Sequence, residues 1–247
     1  MNWLNSFPTP ETLISQYPAT DVLNVNAHIH TPYSFSSFNG IPEIFEQASQ
    51  ENIAVLGIND FFMADGYESF CEGALQCGIF PLFNIEFIGL MKKEQQAGIR
   101  INDPNNPGRC YFCGKGLDLP FHTEPAISKK LKNIIRLSQD QVITMIKKLN
   151  DLFLTIDPGI KFNYAEIKEQ YARNLVRERH LAKAMRVAVF EKYRDDGSRR
   201  DLFTRLFGGK SPVSSFSDIP ALENEIRSNL LKAGGKAFVE EDDDTFL

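Results

Sequence analysis

A short apolar run at residues 53–58 decides the class of fold that this chain of 247 residues can adopt. One glycine is its only interruption, and such a run is typical of a strand buried on both faces of a parallel sheet. An amphipathic helix is predicted before it at residues 42–50, and a second helix after it at 64–76. A further apolar run follows at 80–89. Strands that alternate with helices in this way predict an α/β fold.

Two of the four histidines, His28 and His30, lie one residue apart before the first of these helices. A short strand is predicted here, and Pro32 ends it because proline lacks the N–H that a central strand needs. Side chains at positions i and i+2 of a strand point to the same face, so both imidazoles can bind one metal ion. The alternative is that both histidines lie on a solvated face.

Two carboxylates are predicted at the ends of the next strands. Glu86 lies inside the apolar run at 80–89, where an ionised carboxylate is costly to bury unless it is paired, hydrogen-bonded or bound to a metal. Asp60 follows the run at 53–58. Both acids therefore lie at the predicted carboxyl ends of strands and are candidate metal ligands, and Asp60 is also a candidate catalytic residue.

These residues carry a resemblance to a known family. The sequence HIHTPYS at 28–34, followed by LGIND at 56–60 and IE at 85–86, resembles the opening motifs of the PHP (polymerase and histidinol phosphatase) superfamily. The resemblance covers roughly residues 21–120. It implies a partial or distorted PHP-type β/α barrel whose strand ends hold metal ions for phosphoester hydrolysis. It also implies that His28, His30 and Glu86 are metal ligands.

The chain departs from the family pattern at several positions. Phe61 follows Asp60 where the family has a ligand histidine, and phenylalanine cannot bind a metal. The histidine expected on a strand at 109–114 is absent, and no histidine follows His180 to supply the late motifs. His122 is a candidate replacement ligand, although it also fits a surface turn. Two explanations stay open, namely that the sequence is part of a longer protein or that the metal site has decayed.

Two cationic residues near the predicted fourth strand are candidates for contact with phosphoryl oxygens. These are Arg109, at the start of the strand, and Lys115, which lies between two glycines just after it. The spacing around Lys115 is not that of a P-loop, and an ordinary turn is the alternative.

The chain changes character after the PHP-like region, which is predicted at 1–125. Residues 126–235 are predicted to be a mostly helical insertion or cap, and 236–247 an acidic tail. Within the helical region, one helix is expected at 139–152 and another at 164–193.

Ser138 is the expected N-cap of the helix at 139–152, and Val142, Ile143, Ile146 and Leu149 are its expected buried stripe. The second helix is rich in arginine and lysine between residues 173 and 186. We favour a solvated face for these charges, while a surface that binds nucleic acid stays open.

Charge and composition limit the partners and the cellular location that are expected for the protein. The net charge of −5 gives no general attraction to nucleic acid. The sequence has no apolar run of about 18 residues and no leader pattern at its amino terminus, so a cytoplasmic protein without a membrane partner is expected. Cys110 and Cys113 have a zinc-ligand spacing that Cys71 and Cys77 do not match, and ordinary buried thiols are favoured over a zinc knot or a redox pair.

The residues and the resemblance together predict a metal-dependent hydrolase of the PHP type. The expected cofactors are divalent zinc, manganese or iron, and the expected substrate is a small-molecule or nucleotide phosphoester. The alternative is a non-catalytic PHP-like module with a degraded metal site, which would bind or regulate instead.

Overall fold

A computed structural model describes residues 3–16, 22–104 and 106–246. The chain forms two compact units, one that runs to Ile134 and also includes Phe246, and one at Ile135–Thr245. Each unit has a hydrophobic core of its own. None of the helices in these ranges is both long enough and apolar enough to cross a membrane. The domain bounds given above for 1–125, 126–235 and 236–247 stay predictions.

The first unit is built on a four-stranded sheet in which the strands follow their order in the sequence. The first three strands are parallel and the fourth is antiparallel to the third. The sheet curls into a half-barrel, which confirms the α/β prediction and a partial barrel. The strands are β1 (Val25–Ile29), β2 (Val55–Phe61), β3 (Phe80–Leu90) and β4 (Arg109–Gly114).

Two helices cover one face of this sheet. The first begins at Ile41, where Pro42 suits the first turn, and it buries the apolar side chains that its sequence period predicts. The second ends at Gly78, whose φ of +67° is the left-handed conformation of a helix C-cap. The helices of this unit are α1 (Pro10–Gln16), α2 (Ile41–Gln50), α3 (Tyr67–Cys77), α4 (Lys92–Gln96) and the start of α5 (Pro125–Ile156).

The alternation of side chains along β2 separates a helix-packed face from a polar face. Leu56 and Ile58 belong to the buried core under α2 and α3. Gly57 and Asn59 point the other way, because neighbouring residues of a strand face opposite sides. The polar face of the half-barrel is therefore the place where functional side chains can gather.

The second unit is helical, and its first helix differs from the prediction. A single helix, α5, runs through Ser138, which is buried inside the helix and is not an N-cap. Ile143 is exposed, whereas Met145 and Phe153 join the core. The other helices of this unit are α6 (Tyr164–Tyr171), α7 (Glu178–Lys192), α8 (Asp196–Leu206) and α9 (Ile219–Ile226).

The single helix predicted at 164–193 is wrong, because the chain leaves the helical conformation between α6 and α7. Leu175 and Val176 are fully buried in this break. The side chain of Gln139 accepts from the N–H of Val176 (2.9 Å) and donates to its carbonyl (3.3 Å). These bonds replace the helical ones, and burial of the two apolar side chains favours the break.

Candidate metal centre

Two imidazoles and one carboxylate converge on the polar face of the half-barrel. The Nε2 atoms of His28 and His30 lie 3.2 and 3.1 Å from the same oxygen, Oε2 of Glu86. Within the described ranges, these three residues are the one group of three or more His, Cys, Asp or Glu whose ligand atoms all lie within 4.8 Å of one another. A set of two histidines and a glutamate is one that catalytic zinc sites use.

A β-bulge in β1 sets the position of His28. Ala27 and His28 both lie opposite Gly57, so β1 has one residue more than β2 at this point. A Cβ atom at Gly57 would lie 2.6 Å from the carbonyl oxygen of Ala27, and a side chain is therefore excluded. The same carbonyl accepts hydrogen bonds from Asn84 Nδ2 (3.3 Å) and Lys115 Nζ (2.8 Å).

The carboxylate of Glu86 is buried, with a relative exposure of 6% for the residue. Its polar partners in the described structure are the two histidines and the amide of Asn59 (3.5 Å), and no lysine or arginine is among them. A buried carboxylate whose side-chain partners are two imidazoles and an amide has no lysine or arginine to compensate its charge. The donor set therefore fits a divalent cation.

The ring of His30 packs against two phenyl rings, which also contact each other (5.6 Å between centroids). Its ring is stacked on Phe35 (4.5 Å between centroids) and on Phe61 (5.1 Å). The latter is the residue found where the resemblance implies a histidine. The sequence indicates that a family ligand is replaced at this position, but it gives no sign that the replacement packs against a candidate ligand.

Asp60 does not join the two histidines. Its carboxylate is fully buried and accepts from the N–H of Thr31 (2.8 Å) and from the hydroxyls of Thr31 and Ser34. Burial raises the pKa of Asp60, and these hydrogen bonds act in the opposite direction. The structure thus places Asp60 where it ties the loop after β1 to the end of β2. The alternation of side chains along a strand predicts that Asp60 lies away from the polar face, because Asp60 and Asn59 must face opposite sides of β2.

Arg109 and His122 also lie apart from the cluster. Arg109 is four residues along β4 from Cys113, the strand partner of Glu86, which corresponds to about 13 Å. Its guanidinium pairs with Asp103 at 3.7 Å. His122 is exposed in the loop before α5 and is not part of the group of potential ligands.

The four cysteines are free thiols and do not form a zinc knot. Cys71 is buried, Cys77 is exposed, and the two cysteines of β4 are half-buried. The expectation of buried thiols therefore holds for Cys71 alone.

No protein-family model matches the chain, and no curated protein matches it. A solved structure from Bifidobacterium adolescentis, to which a metal-dependent phosphoesterase activity is provisionally ascribed, matches with a TM-score of 0.59 and 14% identity. The match covers 90% of this chain and 60% of that one. An amidohydrolase from Chromobacterium violaceum, solved with sulfate and no metal, matches with a TM-score of 0.48 and 18% identity over 78% of this chain and 58% of that one.

The first of these likenesses establishes the kind of fold and nothing finer, because the identity is low. The chain has a fold like that of this structure, and it spans about three fifths of its length. The candidate metal centre stands on the geometry of His28, His30 and Glu86.

Proposed function

We infer that the protein is a metal-dependent hydrolase of the PHP type that acts on a phosphoester. The observation that carries this proposal is the convergence of His28 and His30 on the buried carboxylate of Glu86. The HIHTPYS motif at 28–34 supports the PHP assignment, and the fold supports the hydrolase class.

Each residue of the centre has a distinct task in this proposal. His28, His30 and Glu86 hold a divalent ion, which can be zinc, manganese or iron. Such an ion supplies Lewis acidity to phosphoester hydrolysis. The rings of Phe35 and Phe61 hold the imidazole of His30 in place.

Lys115 is the proposed contact for the phosphoryl oxygens of the substrate. Its ammonium group bonds the carbonyl of Ala27, one residue before His28, and its side chain is exposed. A flexible lysine in this position can exchange the carbonyl for a more strongly charged phosphate oxygen. A nucleotide as the substrate and a cytoplasmic location stay predictions from the sequence.

Metal content and phosphoester turnover test this proposal together. We expect near-stoichiometric metal and turnover in the wild type, and the loss of both in His28→Ala and in Glu86→Gln. His122→Ala is the matched control, because it removes an exposed histidine outside the cluster and should change neither quantity. A wild-type protein that takes up no zinc, manganese or iron would contradict the proposal.

A second candidate is a non-catalytic PHP-like module, which Phe61 favours because it fills the position of a family ligand with a ring that packs on His30. This candidate has a degraded metal site and predicts a protein without metal-dependent turnover of phosphoesters. Metal-dependent turnover that Glu86→Gln abolishes rules it out.

A further inference from the structure

Cys113 lies beside the candidate metal centre, although the group of three ligands does not include it. It is the strand partner of Glu86, on the neighbouring strand β4. Its sulfur lies 3.2 Å from Nδ2 of Asn59 and 4.0 Å from Nδ1 of His28. The thiol is half-buried and the side chain of His28 is 45% exposed, so ions can reach this side of the centre.

The amide nitrogen of Asn59 occupies the space between possible ligand atoms from three residues. It lies 3.1 Å from Nε2 of His28, 3.5 Å from Oε2 of Glu86 and 3.2 Å from Sγ of Cys113. Nitrogen, oxygen and sulfur with available lone pairs surround a group that carries partial positive charge. A cation satisfies the same atoms more strongly than an amide does.

The other end of this amide supports the same interpretation. Asn59 is fully buried, and its Oδ1 atom has no hydrogen-bond partner in the described structure. A buried amide oxygen without a partner is costly. Rotation of the amide exchanges its nitrogen for its oxygen, and a cation among these ligands makes the oxygen the better group to point inwards.

We propose that Cys113 and Asn59 extend the metal centre, with the sulfur and the amide oxygen joining His28, His30 and Glu86, and that this sulfur makes the centre select zinc over manganese. This inference rests on the proposed metal-dependent function and deepens it. Thiolate is a soft ligand that zinc and cobalt(II) bind well, while manganese prefers oxygen.

The distances suit this arrangement. Zinc-ligand bond lengths set the separation of a sulfur ligand from a nitrogen or oxygen ligand to about 3.5 Å. The sulfur of Cys113 lies 3.2 Å from the amide nitrogen of Asn59, whose place the oxygen takes on rotation, and that atom lies 3.1 Å from Nε2 of His28. On binding, the S–H bond of Cys113 breaks, its electron pair goes to the metal, and the proton passes to the solvent.

Cobalt(II) spectroscopy tests the proposal in the intact protein, because a thiolate bound to cobalt gives a charge-transfer band in the near ultraviolet. We expect this band in the wild type and its loss in Cys113→Ser. Cys110→Ser is the matched control, since Cys110 lies on the same strand and contacts the carbonyl of Gly89 at 3.7 Å, so the band should remain.

Metal affinity gives a second measurement on the same variants. Zinc affinity should fall at least about tenfold in Cys113→Ser, while manganese affinity should change less than about threefold. Asn59→Leu, which keeps the branched shape and removes the oxygen, should weaken zinc binding, and Asn59→Asp should retain or tighten it. Equal zinc affinity in Cys113→Ser and the wild type overturns the selectivity.

Alkylation tests the role of Cys113 in the wild-type protein, so the result does not depend on the folding of a variant. Zinc should protect Cys113 from iodoacetamide and leave Cys110 as reactive as before, which peptide mass spectrometry can measure. A cobalt protein without the band, or zinc that leaves Cys113 unprotected, overturns the inference.

The failures of the two proposals are distinguishable. If His28→Ala loses cobalt while the wild-type cobalt protein lacks the band, metal binding by His28, on which the proposed function depends, stands and the role of Cys113 falls. If the wild type binds neither cobalt nor zinc, both fall.

Discussion

At the scale of single residues, aromatic packing surrounds one candidate ligand. The ring of His30 packs against those of Phe35 and Phe61, which also contact each other, and its Nδ1 atom is buried without a hydrogen-bond partner. In many metal sites the second ring nitrogen of a histidine is fixed by a hydrogen bond to a carboxylate or carbonyl. Here we expect the two phenyl rings to take over that task and to orient the imidazole by shape.

Phe61→Ala tests this role of the rings. We expect zinc affinity to fall about tenfold with unchanged stoichiometry, because the imidazole of His30 gains freedom that binding must remove. Competition with a chelator measures the affinity. Phe112→Ala is the control, since Phe112 is exposed on β4 and its ring packs on Phe87. An unchanged affinity in Phe61→Ala would show that the stacking is incidental.

At this scale the sequence predicts the three residues of the cluster but not the groups that surround them. His28, His30 and Glu86 were accessible because histidines at i and i+2 and an acid within an apolar run are local signals. The amide of Asn59 and the sulfur of Cys113 belong to strands 54 residues apart in sequence. Their proximity depends on the pairing of β2, β3 and β4, which no local pattern encodes.

At the scale of elements, the bulge in β1 and the glycine opposite it act together to position His28. The extra residue directs the carbonyl of Ala27 across Gly57, where Asn84 and Lys115 bind it. Bulges often lie beside functional sites, where they re-aim a side chain. The position of His28 therefore depends on a residue that bears no side chain.

Gly57→Ala tests that dependence. The new Cβ would lie 2.6 Å from backbone oxygen, so β1 must shift, and we expect a loss of about 2 kcal/mol in the free energy of unfolding together with weaker metal binding. Urea denaturation and metal content measure these effects. Gly114→Ala in β4 is the control, because its Cβ would meet only side-chain atoms at 3.7 and 4.0 Å. Equal losses of stability and metal content in both variants would contradict the role of Gly57 in positioning His28.

Helix bounds were predictable where the signals were local and unpredictable where a distant contact decided them. Pro42 and the spacing of apolar residues define α2, and the structure confirms its buried face. Ser138 carries the chemistry of an N-cap, yet α5 continues through it. The break between α6 and α7 depends on Gln139, which lies 37 residues before Val176.

At the scale of the whole molecule, the two units have separate cores and can respond separately to pH. Burial lowers the pKa of His180, in the second unit, from 6.5 to about 4, and the charges of Arg177 and Lys183 add to this effect. Its Nδ1 atom accepts from the N–H of Arg177 at the start of α7 (2.9 Å). The neutral imidazole thus serves as a helix cap.

Acid should therefore weaken the second unit. As the pH falls from 6.5 towards 4, the unfolded chain takes up a proton at His180 before the folded one does, so the free energy of unfolding falls by up to about 3 kcal/mol. His180→Gln keeps a neutral acceptor at every pH and should remove this part of the slope.

The two units offer separate probes for that measurement. Trp3, the one tryptophan of the chain, packs on Phe80 and Phe83 in the first unit and reports there by fluorescence. Far-ultraviolet circular dichroism is dominated by helices, which are most abundant in the second unit. Urea unfolding at pH 7 and pH 5 should show the change in circular dichroism. The same pH slope in His180→Gln and the wild type would contradict the role of His180.

The bulge in β1 also suggests how to search genomes for centres of this design. The spacing H-x-H occurs in many chains by chance and says little by itself. In this protein, the next strand contributes Gly57, which leaves room for the carbonyl of Ala27, and Asn59, whose amide lies beside the candidate ligands. A search that requires H-x-H at the end of one strand and G-x-N near the end of the next would test for the histidines and for the residues that surround them together. Such a search would exclude histidine pairs that lie on a solvated surface.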